Sequence, residues 1–407
     1  MIMFLLILLF IAFISLGLPD ALGNIAWPLM YLDFSVPLSS SSLLFFPAML
    51  GGIISSLIAG RLIKKFRPGW IIAISCFLTS VGMLGISFAP SVPFVILSAL
   101  PLGLGAGGVD ATINDFVAKN FTAKHMNWLH ACYGIGTTIG PAIMLYVIQT
   151  TGTWRAGHRT VAIIQACLGV IFILTIGIWK KTAPALKERR KQNALKLNPE
   201  DVIPASCANP KKAIARQVMA FAVYAGLESI IVTWGTTYFN IGLGNELILS
   251  GETATVYFFA FVVGRILAGF IVNRIGLKRI VFIGISISFV GIIMILLSSF
   301  SIYFGMIGMA LIGIGYAPIY PCMMQQTPIL VGKEASSVVI GYQMAVSNLC
   351  FTLLPFVTGL FGQYISLYAI PVVLGILAVT FFFIKVVPEF DNCRKVSSIV
   401  ENNPSNT

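Results

Sequence analysis

Charge is scarce in this 407-residue chain: 10% of the residues are Asp, Glu, Lys or Arg, and only 14 are acidic. A soluble protein of such length carries about 25% charged residues to cover its surface, so the composition excludes a water-soluble globular protein. Histidine is rarer still, with three in all. The seven cysteines, Cys76, Cys132, Cys167, Cys207, Cys322, Cys350 and Cys393, are odd in number and lack metal-ligand spacing, which argues against a disulfide framework and against a zinc site. The sequence also lacks an HExxH helix, a GxSxG nucleophile elbow and a GxxxxGKS or GxxxxGKT phosphate loop. An enzyme or an ATP-driven machine is therefore unsupported, and no metal or cofactor is implied.

What the chain has in abundance is apolar length. Hydrophobic residues make up 57%, the mean hydropathy is +0.93, and runs of about 20 apolar residues, enough for a helix to cross ~30 Å of hydrocarbon, recur throughout. Twelve such runs are expected, at 4–31, 40–63, 69–89, 93–118, 127–150, 159–179, 214–240, 249–273, 279–299, 302–327, 335–361 and 366–387. The first lacks a basic n-region and eleven more follow, so it is read as an uncleaved helix. The fold class is thus an all-α polytopic membrane protein.

The net charge of +12 would suit a nucleic-acid partner, but its distribution is that of a membrane topology signal. With the N-terminus inside, the inner segments hold Arg61, Lys64, Lys65, Arg67, Lys119, Lys124, the cluster from Lys180 to Arg216, Arg274, Lys278, Arg279, Lys333, Lys385, Arg394 and Lys395, and the outer ones only Arg155 and Arg159. This bias places both termini in the cytoplasm and the chain in the plasma membrane, the inner membrane if the source is bacterial. It argues for membrane lipid, and against nucleic acid, as partner. Between Trp179 and Ile214 the hydrophobicity gives way to a polar, mostly basic stretch, read as a solvated linker held against anionic lipid. The expected organisation is a first six-helix half at 1–180, a linker at 181–213, a second half at 214–388 and a tail at 389–407.

The halves repeat each other. "AGRLIKKFRPG" (Ala59 to Gly69) after the second span matches "AGFIVNRIGLK" (Ala268 to Lys278) after the eighth at an offset of 209; Gly103 matches Gly313 at 210, and His130 falls opposite Gln343 at 213. Such drift of a few residues over three landmarks indicates a duplicated six-helix unit. In transporters, duplication of this kind puts the solute site near the midplane and allows alternating access.

Twelve spans in two halves, a long central loop and a Gly-plus-basic loop after spans two and eight resemble the major facilitator superfamily over essentially the whole chain. Within it the sequence is most similar to the fucose permease branch of proton-coupled sugar symporters, through "AGRLIKKF" (Ala59 to Phe66), "GGVDATIND" (Gly107 to Asp115) and "NWLHACYGIG" (Asn127 to Gly136). The resemblance implies a monomeric transporter of a small-molecule solute, with protons as coupling ion. It implies that Asp110 is the coupling acid, that His130 stands where the family has Gln, and that Asn24 stands where it has an aspartate in span one. The loop motif, Gly60, Lys64 and Lys65 with Gly269, Asn273 and Arg274, departs from the family's Gly-xxx-Asp-Arg pattern, with Lys64 and Asn273 at its acidic positions.

Ionisable groups in hydrocarbon cost roughly 2.5–3.5 kcal/mol each even on the lenient insertion scale, so each requires a reason. Asp20, Asp110, Glu228 and Arg265 lie well inside spans, whereas Asp115 lies near a span end. Asp110 sits on a glycine-rich helix with Asn114 one turn away on the same side; it is either a proton carrier or a structural acid. Asp20 follows Pro19 between Gly17 and Gly23, where a broken helix frees backbone groups, and it either faces solute and proton or ties down the break. Glu228 and Arg265 fall at similar depth on consecutive spans and are expected to pair, for structure or for gating. Asn24, Asn114, His130, Tyr133, Gln343 and Asn348 supply amides, an imidazole and a phenol suited to a polyhydroxylated ligand, and Trp234 and Tyr316 are deep enough to stack on a sugar ring. The expected activity is proton-coupled symport of a neutral sugar, polyol or similar small polar solute. A proton-driven drug or metabolite exporter, and a non-transporting sensor on the same fold, remain the alternatives.

Overall fold

The computed structural model describes residues 1–20, 22–37, 41–195 and 210–388. Among them there is no strand, and fifteen α-helices follow in order. The helices are α1 (Ile2–Asp20), α2 (Leu22–Asp33), α3 (Ser41–Lys65), α4 (Pro68–Phe88), α5 (Val92–Asn120), α6 (Ala123–Thr151), α7 (Trp154–Leu174), α8 (Ile176–Leu195), α9 (Pro210–Thr237), α10 (Leu247–Ile275), α11 (Leu277–Leu296), α12 (Ile302–Tyr316), α13 (Ile319–Val331), α14 (Lys333–Tyr364) and α15 (Ala369–Phe381). Among the described residues, twelve stretches are long and apolar enough to cross a membrane.

Most expected spans are recovered within a few residues. The sixth runs Trp154–Leu174 rather than 159–179, because the Thr153 side chain accepts a hydrogen bond from the Arg155 amide and caps the helix early. The tenth is broken: α12 ends at Tyr316 and α13 begins at Ile319, with Pro318 between them. The first is likewise divided between α1 and α2, beside Asp20. The stretch after the sixth span, expected as a solvated linker, continues as helix α8 to Leu195; the tail at 389–407 lies outside the described residues.

The described residues fall into two units. The first contains Met1–Phe121, Trp128–Gln192 and Ser336–Ala345; the second contains Thr122–Asn127 and the described parts of Asn193–Ala335 and Val346–Thr407. In the first unit small residues let backbones touch. A Cβ on Gly17 of α1 would lie 2.5 Å from the carbonyl oxygen of Tyr133 on α6, and one on Gly107 of α5 would lie 2.5 Å from the Gly52 carbonyl oxygen on α3. These two approaches matter because α1, α5 and α6 carry the polar groups described next. In the second unit α12 packs against α10 and α11 in the same way, and a Cβ on Gly313 would lie 2.6 Å from the Tyr257 carbonyl oxygen.

Candidate functional site

Three helices of the first unit, α1, α5 and α6, carry a linked set of polar residues. Asn114 on α5 donates from Nδ2 to Asp110 Oδ1 at 2.7 Å and to the Asp110 backbone carbonyl at 3.0 Å. That orientation leaves Asn114 Oδ1 as an acceptor, so His130 Nε2 on α6, 3.0 Å away, is the protonated ring nitrogen and donates to it. The imidazole is held edge-on against Phe13 of α1, ring centroids 5.4 Å apart. Asn114 and His130 are buried, whereas Asp110 keeps partial exposure. The amide and imidazole thus orient the acid, and the amide hydrogens of Asn114 are committed to Asp110 rather than presented to a ligand.

Asp20 completes the arrangement from the end of α1. The Tyr133 hydroxyl donates to Asp20 Oδ2 at 2.6 Å, and Asp20 is exposed. Its carboxylate is close enough to interact electrostatically with Asp110. His130 and Tyr133 are three residues apart on one face of α6, so this single face reaches Asp20 directly and Asp110 through Asn114. Two carboxylates from different helices, a phenol and an amide–imidazole pair form a partly open polar chain among apolar walls. Such a chain can hold a proton and offer acceptors to hydroxyl groups. Asn24 is helical, but its side chain lies outside the described residues.

A second polar group forms in the second unit. Glu228 on α9 interacts with Arg265 on α10 and lies within hydrogen-bond reach of the Tyr224 hydroxyl. The Tyr224 hydroxyl donates to the Tyr316 carbonyl oxygen at 3.0 Å, which ties α9 to the last residue of α12. Arg265, buried, also stacks on the Phe261 ring at 4.1 Å. Tyr257 and Tyr316 stand close enough to Glu228 to feel its charge. Tyr224 and Tyr257 were not singled out in the sequence; Tyr257, Phe261 and Arg265 recur every four residues, a face visible in hindsight.

The remaining candidates are spread out. The Trp234 indole donates to the Pro355 carbonyl oxygen at 2.8 Å, and its ring covers Gly359, which makes it a helix-packing group. Gln343 is buried on the stretch of α14 that belongs to the first unit, while Asn348 is half-buried in the second. Of the loop motif, Gly60 and Gly269 are buried and Lys64, Lys65, Asn273 and Arg274 are exposed at helix ends. A Cβ on Gly60 would lie 2.5 Å from the Ser337 carbonyl oxygen. Asp115 pairs with Lys119 at 2.8 Å, and Lys119 also donates to the Ser337 hydroxyl. Lys385, read from sequence as a loop cation, is instead buried, and donates to Gln217 Oε1 and Gln326 Oε1, each at 2.6 Å. Among the described residues no group of three or more His, Cys, Asp or Glu could hold a metal ion.

The sequence profile of the Major Facilitator Superfamily matches residues 5–349 and 248–394. The chain belongs to that superfamily. It is 22% identical over 340 residues to the glucose/mannose transporter GlcP of Bacillus subtilis, covering 80% of each chain, and 26% identical over 361 residues to the uncharacterised transporter y4wD of Sinorhizobium fredii, covering 85% of this chain and 88% of that one. Among solved structures it resembles the proton:xylose symporter XylE, with a TM-score of 0.72 at 13% identity over 93% of this chain and 94% of the other. It also resembles the E. coli fucose:proton symporter FucP, with a TM-score of 0.66 at 15% identity over 92% and 97%. At those identities the structural likeness speaks for the fold. A major facilitator chain moves small solutes across a membrane, so this one is a multi-pass transporter rather than an enzyme. Its polar groups are to be read as binding and coupling groups.

Proposed function

We propose that the protein is a proton-coupled symporter of a neutral sugar or polyol, with Asp110 as the coupling acid and Asp20 as a second carboxylate facing the solute path. The observation that carries this reading is the linked pair of carboxylates in the first unit. Asp110 is oriented by Asn114 and His130, and Asp20 by Tyr133, with the acids in electrostatic contact. A transporter that merely lets a polar solute through needs hydrogen-bonding groups, not two ionisable acids at a cost of several kcal/mol in hydrocarbon. The similarity to GlcP, and the fold shared with proton:xylose and fucose:proton symporters, support a sugar as the solute.

In this reading Asp110 takes up a proton while the solute enters. The change of charge alters its hold on Asn114, and through it on His130 of α6. The halves at 1–180 and 214–388 are the bodies that rock, both termini face the cytoplasm, and the protein works as a monomer in the plasma membrane. Purified protein in liposomes tests the proposal: labelled glucose and related monosaccharides should accumulate under an acid-outside gradient. Asp110→Asn should lose that accumulation while keeping exchange of solute across the bilayer. Accumulation undiminished in the variant would overturn the assignment, and failure of every sugar and polyol with an intact gradient would overturn the solute class.

A further inference from the structure

The basic segment after the sixth span lies on the first unit as helix α8, and one narrow face of it is committed to that contact. Trp179, Thr182 and Leu186, spaced three and four apart, are buried. The Trp179 ring meets Phe116 edge-on at 5.0 Å, and a Cβ on Gly69 would sit 2.9 Å from the indole nitrogen. Farther along, the Arg189 guanidinium lies 4.9 Å from the Phe121 ring centroid. These contacts seat α8 across the start of α4 and the end of α5. At that same end of the bundle the α3–α4 corner exposes Arg61, Lys64, Lys65 and Arg67.

The rest of α8 faces outward. Lys180 and Lys187, seven residues apart, share one flank, and Lys181 lies opposite the buried stripe; all three are exposed. Glu188 is the single acid among the described residues of α8, and the α3–α4 corner has none. Because the apolar stripe is already buried in the protein, the outward face has only small residues, Gly177, Ala183, Pro184 and Ala185, between its cations. Its grip on any partner is therefore electrostatic rather than by insertion of an apolar face.

We propose that this outward face of α8, together with the α3–α4 corner, is a docking surface for anionic phospholipid headgroups. The charge is complementary, and the surface belongs to a helix continuous with a membrane span, a turn of chain beyond its end. Clustered Lys and Arg next to a span read as recognition of anionic lipid, through an attraction that decays within a Debye length. A zwitterionic headgroup offers no such net attraction.

The test uses the purified full chain in phosphatidylcholine vesicles carrying a trace of spin-labelled phosphatidylglycerol or, in parallel, spin-labelled phosphatidylcholine. Electron spin resonance reads the protein-bound fraction of each. Phosphatidylglycerol should be preferred severalfold, and the triple variant K180Q/K181Q/K187Q should lose most of that preference. Wild-type preference should also collapse in about 0.5 M salt, a measurement that needs no variant. R159Q, which removes a cation near the start of α7, the end remote from α8, should leave the preference unchanged. Equal binding of the two lipids by wild type, a preference that survives salt, a triple variant that retains it, or an equal loss in R159Q would each overturn the proposal. In a preparation holding only this chain and lipid, equal binding would leave an acidic protein as the better occupant.

Discussion

At the scale of the residue, Asp110 is held by a chain whose polarity is set. Asn114 can offer its oxygen to His130 only while its amide nitrogen faces Asp110. Asp110→Asn preserves an oxygen for that amide and the packing around it, yet cannot exchange a proton. Its expected outcome is normal expression, intact solute exchange and no gradient-driven uptake, measured in proteoliposomes. Asn114→Leu acts differently, because it removes a hydrogen bond from the buried His130 as well as releasing the acid. It should lower the stability of the detergent-solubilised protein by about 1–3 kcal/mol, read from thermal unfolding, in addition to impairing transport. Tyr133→Phe removes one hydrogen bond to Asp20, which is exposed. Solvent replaces that bond, so the variant should be destabilised by less than about 1 kcal/mol, and its defect should show in uptake rather than in melting. In the second unit, Arg265→Leu leaves Glu228 with the Tyr224 hydroxyl but without its counter-charge. The single variant should cost about 3–5 kcal/mol, and adding Glu228→Gln should recover part of it, a coupling that a double-mutant cycle measures.

At the scale of the element, close approach decides where substitutions are tolerated. A Cβ on Gly136 would run into the backbone of α1 at Ile14 and Gly17, whereas one on Gly177 in α8 meets nothing within 4 Å. Gly136→Val should therefore cost about 1–3 kcal/mol or more by forcing α1 and α6 apart. Gly177→Ala should be close to neutral, since Gly177 is the second residue of α8 and a methyl group there meets nothing. Melting temperatures of the two purified variants compare them directly. The same distinction explains what was legible in the sequence. A span is encoded locally, in a continuous apolar run, and the twelve spans could be read from it; the tenth was expected unbroken over 302–327, and its break at Pro318 was not read. The pair Asp110 and Asn114 was legible because one helical turn joins them. Partners supplied by other helices were not: Tyr133 reaches Asp20 across 113 positions, and Lys385 reaches Gln217 across 168. Nothing local marks those meetings, so Lys385 looked like one more loop cation. The helix α8 was missed because its apolar stripe of Trp179, Thr182 and Leu186 is too narrow to stand out from six basic neighbours.

At the scale of the whole molecule, orientation is governed by where cations can stay. Lys and Arg resist translocation, so the segments that follow even-numbered spans, which are rich in them, are expected on the cytoplasmic side. The asymmetry is large: Arg61, Lys64, Lys65 and Arg67 crowd the α3–α4 corner and the α8 helix adds more, against Arg155 and Arg159 near the start of α7. Arg155 is, moreover, fixed where it stands, donating to the Ser87 and Ala89 carbonyl oxygens at 3.1 and 2.8 Å and stacking on Trp154 at 4.5 Å. Reversal of the chain would send the basic end across the bilayer and is strongly disfavoured. In a background with the other cysteines replaced, Cys393 should react with a membrane-impermeant maleimide in inside-out vesicles and not in right-side-out ones. A cysteine introduced at Gly152, exposed in the turn before α7, should show the opposite pattern. If both sites label from the same side, the count of spans between them is even, where the fold places seven. If both patterns are reversed, the cation bias does not set the orientation, and the α8 surface faces the outer leaflet rather than the anionic inner one.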